Sequence, residues 1–241
     1  FFFKQKTAYE IPKRDWSSDV CSSDLRMSVT KIPVDVPIWE IEDYFSPQEL
    51  KEVALEIQLI TQSKAHVKEE DMSSSAIEKD GKRESLAKNK HSIFLHDLYI
   101  NHEDEFSYFK KYFHKFIFHP DFDSFESSLG GHLLYSVTKV SVLFAQYEPE
   151  GYYKAHRDGC SLTLLFWYSE NPTAMQGGDL IFPQAQKTIT FKSNKAVIFP
   201  SFLLHEVTPV KFNEPNVYRY SFSAFFLTEY KGPVIFEKTK R

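Results

Sequence analysis

The chain has 241 residues, of which 42% are hydrophobic and 16% aromatic, so it can bury a full core in one or two domains. Its formal net charge is −4, which gives no basic field of the kind that nucleic-acid-binding proteins carry. Apolar runs stay short of the roughly 18 residues that a membrane span needs. The two cysteines, Cys21 and Cys160, form no disulfide framework and favour a reducing, cytoplasmic environment.

Residues 1–26 show no hydrophobic period and contain a near-duplicated tetrad, SSDV at residues 17–20 and SSDL at residues 22–25. They lack both the long apolar core and the small-residue cleavage site of a signal peptide. The segment resembles the translated read-through of a sequencing adapter. We therefore expect residues 1–26 to be foreign and without a fold, and we expect a single domain over residues 27–241.

The first part of this domain, residues 27–133, is predicted to be mainly helical. Residues 32–41 alternate loosely and indicate a short strand. A capping box, Ser46 with Glu49, begins a helix that has Pro47 at its first position. The apolar residues of this helix recur on one face and are expected to be buried: Leu50, Val53, Ala54, Ile57 and Ile60.

Residues 63–90 are polar, rich in lysine and glutamate, and short of large apolar side chains. Such a segment buries too little apolar surface to offset its ordering entropy, so we expect a mobile loop. Two interpretations stay open, a lid that faces the substrate and a solvated linker.

A second helix is predicted from Glu103 to His119. Asn101 can cap its start, and Pro120 stops it. Its apolar stripe is expected to pack in the core: Phe106, Phe109, Phe113, Phe116 and Ile117.

After Gly130 and Gly131 the pattern changes to short β-branched and aromatic segments separated by turn residues. The predicted strands are residues 139–148, 161–169, 179–182, 187–191, 196–199, 203–207 and 217–227. Many short strands at this interval predict a sandwich or jelly roll. Helices before strands therefore predict an α+β fold, with a β core over residues 134–230.

Three residues of the β core form a candidate metal site. His156 and Asp158 are two positions apart, and alternate residues of a strand point to the same side, so both can reach one ion. His205 has to arrive from another strand. Two histidines and one carboxylate on one face bind Fe(II) and leave positions open for O2 and a co-substrate. In the alternative interpretation, His156 and Asp158 are surface loop residues and His205 is a hydrogen-bonded core histidine.

The stretch from Tyr147 to Phe226 resembles the iron- and 2-oxoglutarate-dependent dioxygenases, specifically their prolyl 4-hydroxylase-like branch. The combined pattern is specific, although each piece alone is not. The matching segments are residues 146–158 (QYEPEGYYKAHRD), 177–180 (GGDL), 199–200 (FP), 205–210 (HEVTPV) and 218–221 (YRYS).

This resemblance implies a double-stranded β-helix in which His156, Asp158 and His205 are the catalytic Fe(II) ligands. It implies 2-oxoglutarate as co-substrate, with its far carboxylate on Arg219 and a hydrogen bond from Tyr147, and it implies ascorbate as a reductant. Arg219 also suits this role physically, because a guanidinium gives bidentate, charge-assisted bonds to a carboxylate. The alternatives are a strand-surface charge for Arg219 and a core aromatic residue for Tyr147.

The chain departs from the family pattern in two places. Residues 211–216 look like an inserted turn, which makes Lys211 a rival to Arg219. Trp167 stands where relatives often have a smaller ring or a tyrosine, and this bears on the shape of the pocket. We interpret Gly177 and Gly178 as a turn. Cys160 is expected to be a small packed residue, because it lacks a base partner.

The resemblance implies an oxygenase that hydroxylates a C–H bond and releases succinate and CO2. A peptidyl-prolyl substrate is favoured by the resemblance alone, so free amino acids and other small molecules stay open. Two other classes are a non-catalytic metal-binding β-barrel module and a metal-dependent hydrolase, but no further Glu base is identifiable for a hydrolase. The expected partner is a protein, peptide or small-molecule substrate, with neither nucleic acid nor membrane.

Overall fold

The computed structural model describes residues 37–68, 76–79 and 82–228. Residues 1–26, which we interpreted as foreign, lie outside this range, as does the first half of the strand predicted at residues 32–41. The second half is confirmed as a three-residue strand, Trp39–Ile41.

Helices precede most of the β core, as predicted. Within the described residues they are α1 (Pro47–Ser63), α2 (Leu95–Leu98), α3 (Glu103–Phe106), α4 (Tyr108–Tyr112), α5 (Phe122–Glu126) and α6 (Leu129–Tyr135). A 3-10 helix, Phe113–Phe118, follows α4 directly. No helix in this part of the chain is long and apolar enough to cross a membrane.

Helix α1 begins at the predicted capping box. The Ser46 side chain accepts from the Glu49 N–H, and the Glu49 side chain accepts in return from the Ser46 N–H. Its buried face carries Val53, Ile57 and Ile60, as predicted, while Leu50 and Ala54 are half-buried.

The single helix predicted over residues 103–119 is wrong, because the chain breaks at Ser107. This residue has extended backbone angles, φ −86° and ψ 119°, and its side chain accepts from the Lys110 N–H to start α4. The break changes the helical phase, so Phe106 is 61% exposed while Phe109 is fully buried. Asn101 does not cap α3, since the cap position is His102 and no side-chain cap bond forms there.

Strands make up most of the other residues that the structure describes. They are β1 (Trp39–Ile41), β2 (Val67–Lys68), β3 (Ala76–Lys79), β4 (Lys82–Ser85), β5 (Ala87–Phe94), β6 (Lys139–His156), β7 (Leu162–Tyr168), β8 (Met175–Gly177), β9 (Leu180–Phe182), β10 (Lys187–Ile189), β11 (Lys195–Pro200), β12 (His205–Val207), β13 (Val210–Phe212) and β14 (Arg219–Leu227). The strands predicted after residue 139 are confirmed to within a few residues, except that β6 continues to His156. The sequence patterns missed β8 and β13, which pair with each other.

The loop predicted over residues 63–90 is wrong where the structure describes it. Strands β3 and β4 form a hairpin, and β5 joins the main sheet beside β6. The polarity of the segment led to the prediction of a loop. Polar residues are nevertheless buried on β5, because its buried side chains include Lys90 and Ser92. A strand whose inner face lines a polar site does not show an apolar alternation.

The main sheet has 10 strands in the described residues, and its pairings are antiparallel. Eight of them follow the order β1-β11-β7-β14-β6-β12-β9-β10, and β2 and β5 extend it beside β6. The two ends of this path come together, because Lys187 Nζ on β10 lies 2.9 Å from Glu40 Oε1 on β1. The sheet is therefore curled into a roll, which confirms the predicted jelly roll.

Strand alternation divides the core into two parts. On β7, Leu162, Leu164 and Phe166 face the helices, whereas Leu165 and Trp167 point into the roll. The same division holds on β14, where Tyr220, Phe222, Ala224 and Phe226 pack outward against the helical layer. The inner residues of β14 line a cavity: Arg219, Ser221, Ser223 and Phe225. The helices thus cover one face of the sheet, and residues on its opposite face line the cavity.

Candidate metal centre and its pocket

The three predicted metal ligands meet at one point of the roll. His156 ends β6, Asp158 follows it by two residues, and His205 opens β12 as the register partner of His156. His156 Nε2 lies 3.4 Å from Asp158 Oδ1, and His205 Nε2 lies 3.6 Å from Asp158 Oδ2. One ligand atom from each side chain falls within 4.8 Å of the other two. The structure therefore brings together the three residues that the sequence spacing only suggested as metal ligands.

Hydrogen bonds to the main chain define the tautomer of both imidazoles. His156 Nδ1 is 2.8 Å from the Lys154 carbonyl oxygen, and His205 Nδ1 is 2.9 Å from the Leu203 carbonyl oxygen. A carbonyl oxygen only accepts, so each Nδ1 carries the proton and donates it. Each Nε2 then keeps its lone pair for a metal. Burial lowers the pKa of His205, which also keeps that ring neutral.

Asp158 is held as a carboxylate. Burial alone would raise its pKa, but the contacts with His156, His205 and the Thr163 hydroxyl outweigh burial and lower that pKa below its ordinary value. Thr163 Oγ1 donates to Asp158 Oδ2 at 2.6 Å and also lies 2.8 Å from Ser201 Oγ. These bonds fix the orientation of the carboxylate, as metal-binding carboxylates require.

The triad opens onto a cavity of about 360 Å³. Among the described residues that line this cavity, Asp158 is the sole acidic one, so none of them offers a separate carboxylate base for a hydrolase. The basic side chains on its wall are Lys90, Arg157 and Arg219, and most of the remaining wall is apolar. The charge of the pocket therefore suits an anionic ligand.

Arg219 lies in the same cavity and is 1% exposed. Its partner across the β6–β14 ladder is Tyr147, and the Arg219 Cζ atom lies 4.5 Å from the centre of the Tyr147 ring. The Arg219 Nε and Nη1 atoms have no hydrogen-bond acceptor among the described residues. Buried polar groups are nearly always paired, so these two nitrogen atoms indicate a ligand with an anionic group.

The rival cation Lys211 is exposed on β13 and does not line this cavity. The geometry therefore favours Arg219. The predicted turn at Gly177 and Gly178 contributes to the same site, because both residues have positive φ angles, 74° and 72°. A Cβ atom on Gly178 would come within 2.8 Å of Arg219 Cδ, so glycine gives the arginine its space.

Cys160 packs as predicted. Its Sγ lies 2.9 Å from Ser201 Oγ, and burial raises the pKa of the thiol, so it remains protonated and a poor nucleophile.

Sequence reasoning missed Lys90, which is 3% exposed and lines the cavity from β5. Its Nζ lies 4.5 Å from the centre of the Tyr153 ring, and that ring lies 4.0 Å from the imidazole of His156. The available signal was the run Ile93-Phe94-Leu95, which follows Lys90 closely and is the apolar end of β5 and the start of α2.

Comparisons with known proteins agree with this geometry. Residues 142–227 match the family model of the 2OG-Fe(II) oxygenase superfamily. The fold is similar to that of a prolyl-4-hydroxylase from Pseudomonas putida, at 13% identity and a TM-score of 0.55 over 81% of this chain and 95% of the other. It is also similar to a prolyl hydroxylase from Trichoplax adhaerens, solved in complex with a hypoxia inducible factor oxygen degradation domain peptide fragment. That likeness has 14% identity and a TM-score of 0.56 over 79% of this chain and 83% of the other. Comparison with curated protein sequences found no significant match.

Proposed function

Residues 142–227 belong to the 2OG-Fe(II) oxygenase superfamily, and from this membership we propose that the chain hydroxylates a C–H bond of a peptidyl-prolyl residue. The enzyme is a dioxygenase, and its cofactors are Fe(II) and the co-substrate 2-oxoglutarate. In the balanced reaction, one oxygen atom of O2 enters the C–H bond. The other enters 2-oxoglutarate, which leaves as succinate and CO2.

The observation that carries the proposal is that the three candidate metal ligands lie on one side of the metal position. We propose that His156 Nε2, His205 Nε2 and an Asp158 oxygen hold the metal, while the open cavity lies on the other side. This set matches the two-histidine, one-carboxylate pattern of Fe(II) oxygenases. When Fe(II) is bound, it supplies the redox chemistry and the open coordination positions that O2 and 2-oxoglutarate use.

We assign the far carboxylate of 2-oxoglutarate to Arg219, with Tyr147 beside it. Arg219 Nε and Nη1, which have no acceptor among the described residues, can each donate to a carboxylate oxygen, and burial makes such charge-assisted bonds strong. Tyr147 is 3% exposed and lies against the guanidinium, so its hydroxyl can add a further hydrogen bond.

The substrate assignment is supported by the sequence motifs, the fold and the walls of the cavity. The sequence motifs are similar to those of the prolyl 4-hydroxylase-like branch, and two prolyl hydroxylases share the fold. Leu143, Phe94 and Phe225 give the cavity apolar walls, which suit a pyrrolidine ring. A free amino acid or another small molecule is the alternative.

The test is turnover of 2-oxoglutarate by the purified chain with Fe(II), O2 and ascorbate as reductant. Succinate should form, and a proline-containing peptide should increase its rate and gain the mass of one oxygen atom. Stimulation by free proline but not by peptides would replace the peptidyl substrate with a small molecule. Absence of succinate from iron-loaded protein under all these conditions would overturn the proposed function.

A further inference from the structure

A second cluster of metal-binding residue types lies on the outer face of the sheet, away from the cavity. On β5, His91 is the register partner of Gln146 on β6. The ring centre of His66, which precedes β2, lies 5.4 Å from that of His91. The strand neighbours Lys90 and Tyr147 line the cavity, so His91 and Gln146 point to the opposite face. The sheet therefore separates this cluster from the candidate Fe(II) site.

Three buried polar atoms of this cluster have no hydrogen-bond partner among the residues that the structure describes. They are His66 Nδ1, His91 Nε2 and Gln146 Oε1. Gln146 is only 8% exposed. Glu148 lies two positions further along β6, and its Oε1 atom is 3.9 Å from His91 Nε2. Because buried polar groups nearly always have partners, these atoms indicate a ligand.

A metal ion is a ligand that all four groups can share, because each group can direct a lone pair at it. Two imidazole nitrogens favour a transition metal over Mg²⁺ and Ca²⁺, which take oxygen ligands. Zinc binds imidazole and carboxylate side chains in sites with four ligands. Burial and the neighbouring His91 lower the pKa of His66, so the His66 ring is neutral at neutral pH, as a metal ligand has to be.

The spacing of the two rings fits a shared zinc ion. An ion about 2.0–2.1 Å from one nitrogen of each ring holds the ring centres roughly 5 Å apart at a tetrahedral angle. His66, His91 and Glu148 are spaced more widely than the candidate Fe(II) ligands, so the carboxylate has to move inward. The Glu148 side chain is 39% exposed and has room to do so. Lys68, the register partner of His91 on β2, is exposed, so its charge can stay in solvent.

We propose that His66, His91 and Glu148, together with the Gln146 amide oxygen, form a second metal site that binds Zn(II). The site is independent of the proposed oxygenase chemistry, because it lies on the other face of the sheet. Its ligands come from the segment after α1, from β5 and from β6, so a bound ion joins three segments that are distant in sequence. The site is therefore structural, and it stabilises strands whose inner faces line the cavity.

The first experiment measures the zinc stoichiometry of the full chain by equilibrium dialysis at micromolar Zn(II). Zinc also suits the candidate Fe(II) site, so the wild type should bind two equivalents. His91→Ala and His205→Ala should each bind one, and the double variant none. His132→Ala, at an exposed position on α6, is the control and should keep both. One equivalent in the wild type and none in His205→Ala would overturn the inference and leave the three polar atoms to ordered water.

The second experiment measures stabilisation in His205→Ala, in which only the proposed site remains. Zinc at about one hundred times its dissociation constant should raise the melting temperature of this variant by roughly 5–10 °C. Adding Glu148→Gln keeps the size of the side chain but removes its charge, so about tenfold or more zinc should be needed for the same shift. A melting temperature of His205→Ala that does not respond to zinc would overturn the inference.

The third experiment uses the wild type and does not depend on the folding of a variant. ¹⁵N NMR of the histidine rings distinguishes the two nitrogens of each imidazole. Saturating zinc should shift the signals of His66 Nδ1 and His91 Nε2, the two ring nitrogens without partners in the described structure. Unchanged signals from both rings would overturn the inference, even if a second ion binds elsewhere on the chain.

Discussion

The candidate metal ligands are prepared by their neighbours before any ion is bound. His156 and His205 each donate a hydrogen bond from Nδ1 to the main-chain carbonyl oxygen two residues earlier, at Lys154 and Leu203. The local backbone therefore sets both ring orientation and tautomer. Rotation of either ring would break its hydrogen bond to the main chain, so the Nε2 atoms remain directed at Asp158.

His205→Ala tests the metal assignment. Loss of one of three protein ligands should abolish Fe(II) binding and succinate formation, while the far-UV circular dichroism stays close to that of the wild type. His96→Ala is the control, because His96 is partly exposed on α2 and lies outside the cavity. Wild-type-like turnover by His205→Ala would remove His205 from the site.

Arg219→Ala tests the co-substrate anchor. Losing the guanidinium leaves the far carboxylate of 2-oxoglutarate without its partner in a buried pocket, at a cost of about 3–5 kcal/mol. The 2-oxoglutarate concentration needed for half-maximal turnover should rise by roughly two to three orders of magnitude, with Fe(II) affinity little changed.

Arg219→Lys should recover part of this loss, because a point charge cannot reproduce the bidentate fork. Lys211→Ala is the matched control and should be near neutral, since Lys211 is exposed. A large effect at Lys211 together with a small one at Arg219 would show that the anchor has moved.

Much of the site could be predicted from the sequence, because its motifs are local. His156 and Asp158 are two positions apart, and Arg219 lies in a recognisable strand segment. Lys90 could not be predicted in this way. The position of Lys90 depends on a long-range strand pairing, Lys90 opposite Tyr147, and the apolar run after Lys90 indicates a strand without indicating its partner.

At the scale of elements, the two glycines of the Gly177-Gly178 turn differ in what a larger side chain would disturb, the backbone at Gly177 and Arg219 at Gly178. A Cβ on Gly177 would lie 2.1 Å from the Pro209 carbonyl oxygen, whereas one on Gly178 would lie 2.8 Å from the side chain of Arg219. Both residues also have positive φ, which costs a residue with a Cβ about 1–2 kcal/mol.

We therefore expect Gly177→Ala chiefly to lower the melting temperature and Gly178→Ala chiefly to weaken 2-oxoglutarate binding. Calorimetry and thermal unfolding of the two variants measure both quantities. Gly159→Ala is the control for the melting temperature, since a Cβ there meets nothing within 4 Å. Unchanged 2-oxoglutarate affinity in Gly178→Ala would show that Arg219 does not need this space.

A buried carboxylate joins α1 to α4. Glu56 is 1% exposed, and it accepts from the Phe109 N–H at 2.8 Å and from the Tyr99 hydroxyl at 2.9 Å. Burial raises the pKa of Glu56 above its ordinary value of 4.5, although these hydrogen bonds oppose the shift. The folded protein therefore holds this proton more tightly than the unfolded chain does.

This difference predicts a pH dependence of stability. The contribution of the raised pKa to the free energy of unfolding is fully present below the unfolded value near 4.5 and is lost as pH rises through the folded value. Glu56→Gln has no titrating group at this position. The free energy of unfolding, measured with urea from acid to neutral pH, should therefore lose this part of its slope against pH. Glu105→Gln, at an exposed position, should keep it. Identical slopes in wild type and Glu56→Gln would contradict the prediction.

The elements differed in how well the sequence predicted them, for a physical reason. The strands from Lys139 onward have β-branched and aromatic residues between turn residues, and these local preferences agree with their burial. The helix over residues 103–119 failed at Ser107, because a serine is compatible with a helix interior and is also a strong cap. The burial of Phe109 in the core favours the structure in which Ser107 caps α4.

At the scale of the whole molecule, we propose that the domain begins after residue 26. Deleting residues 1–26 should change neither the melting temperature nor the turnover of 2-oxoglutarate, because we interpret that segment as foreign. Differential scanning calorimetry and a succinate assay on the two chains check this expectation. A loss of several degrees on truncation would show that the segment belongs to the folded unit.

The ion pair between Glu40 and Lys187 also affects how one molecule meets another. A strand at the edge of a sheet exposes N–H and C=O groups that can pair with a second molecule and begin aggregation. The two strands that end the sheet path, β1 and β10, are each three residues long, and this ion pair joins them. Short, charged edges drawn together in this way offer poor templates for strand addition. Crowded native molecules therefore have little tendency to polymerise through these two strands.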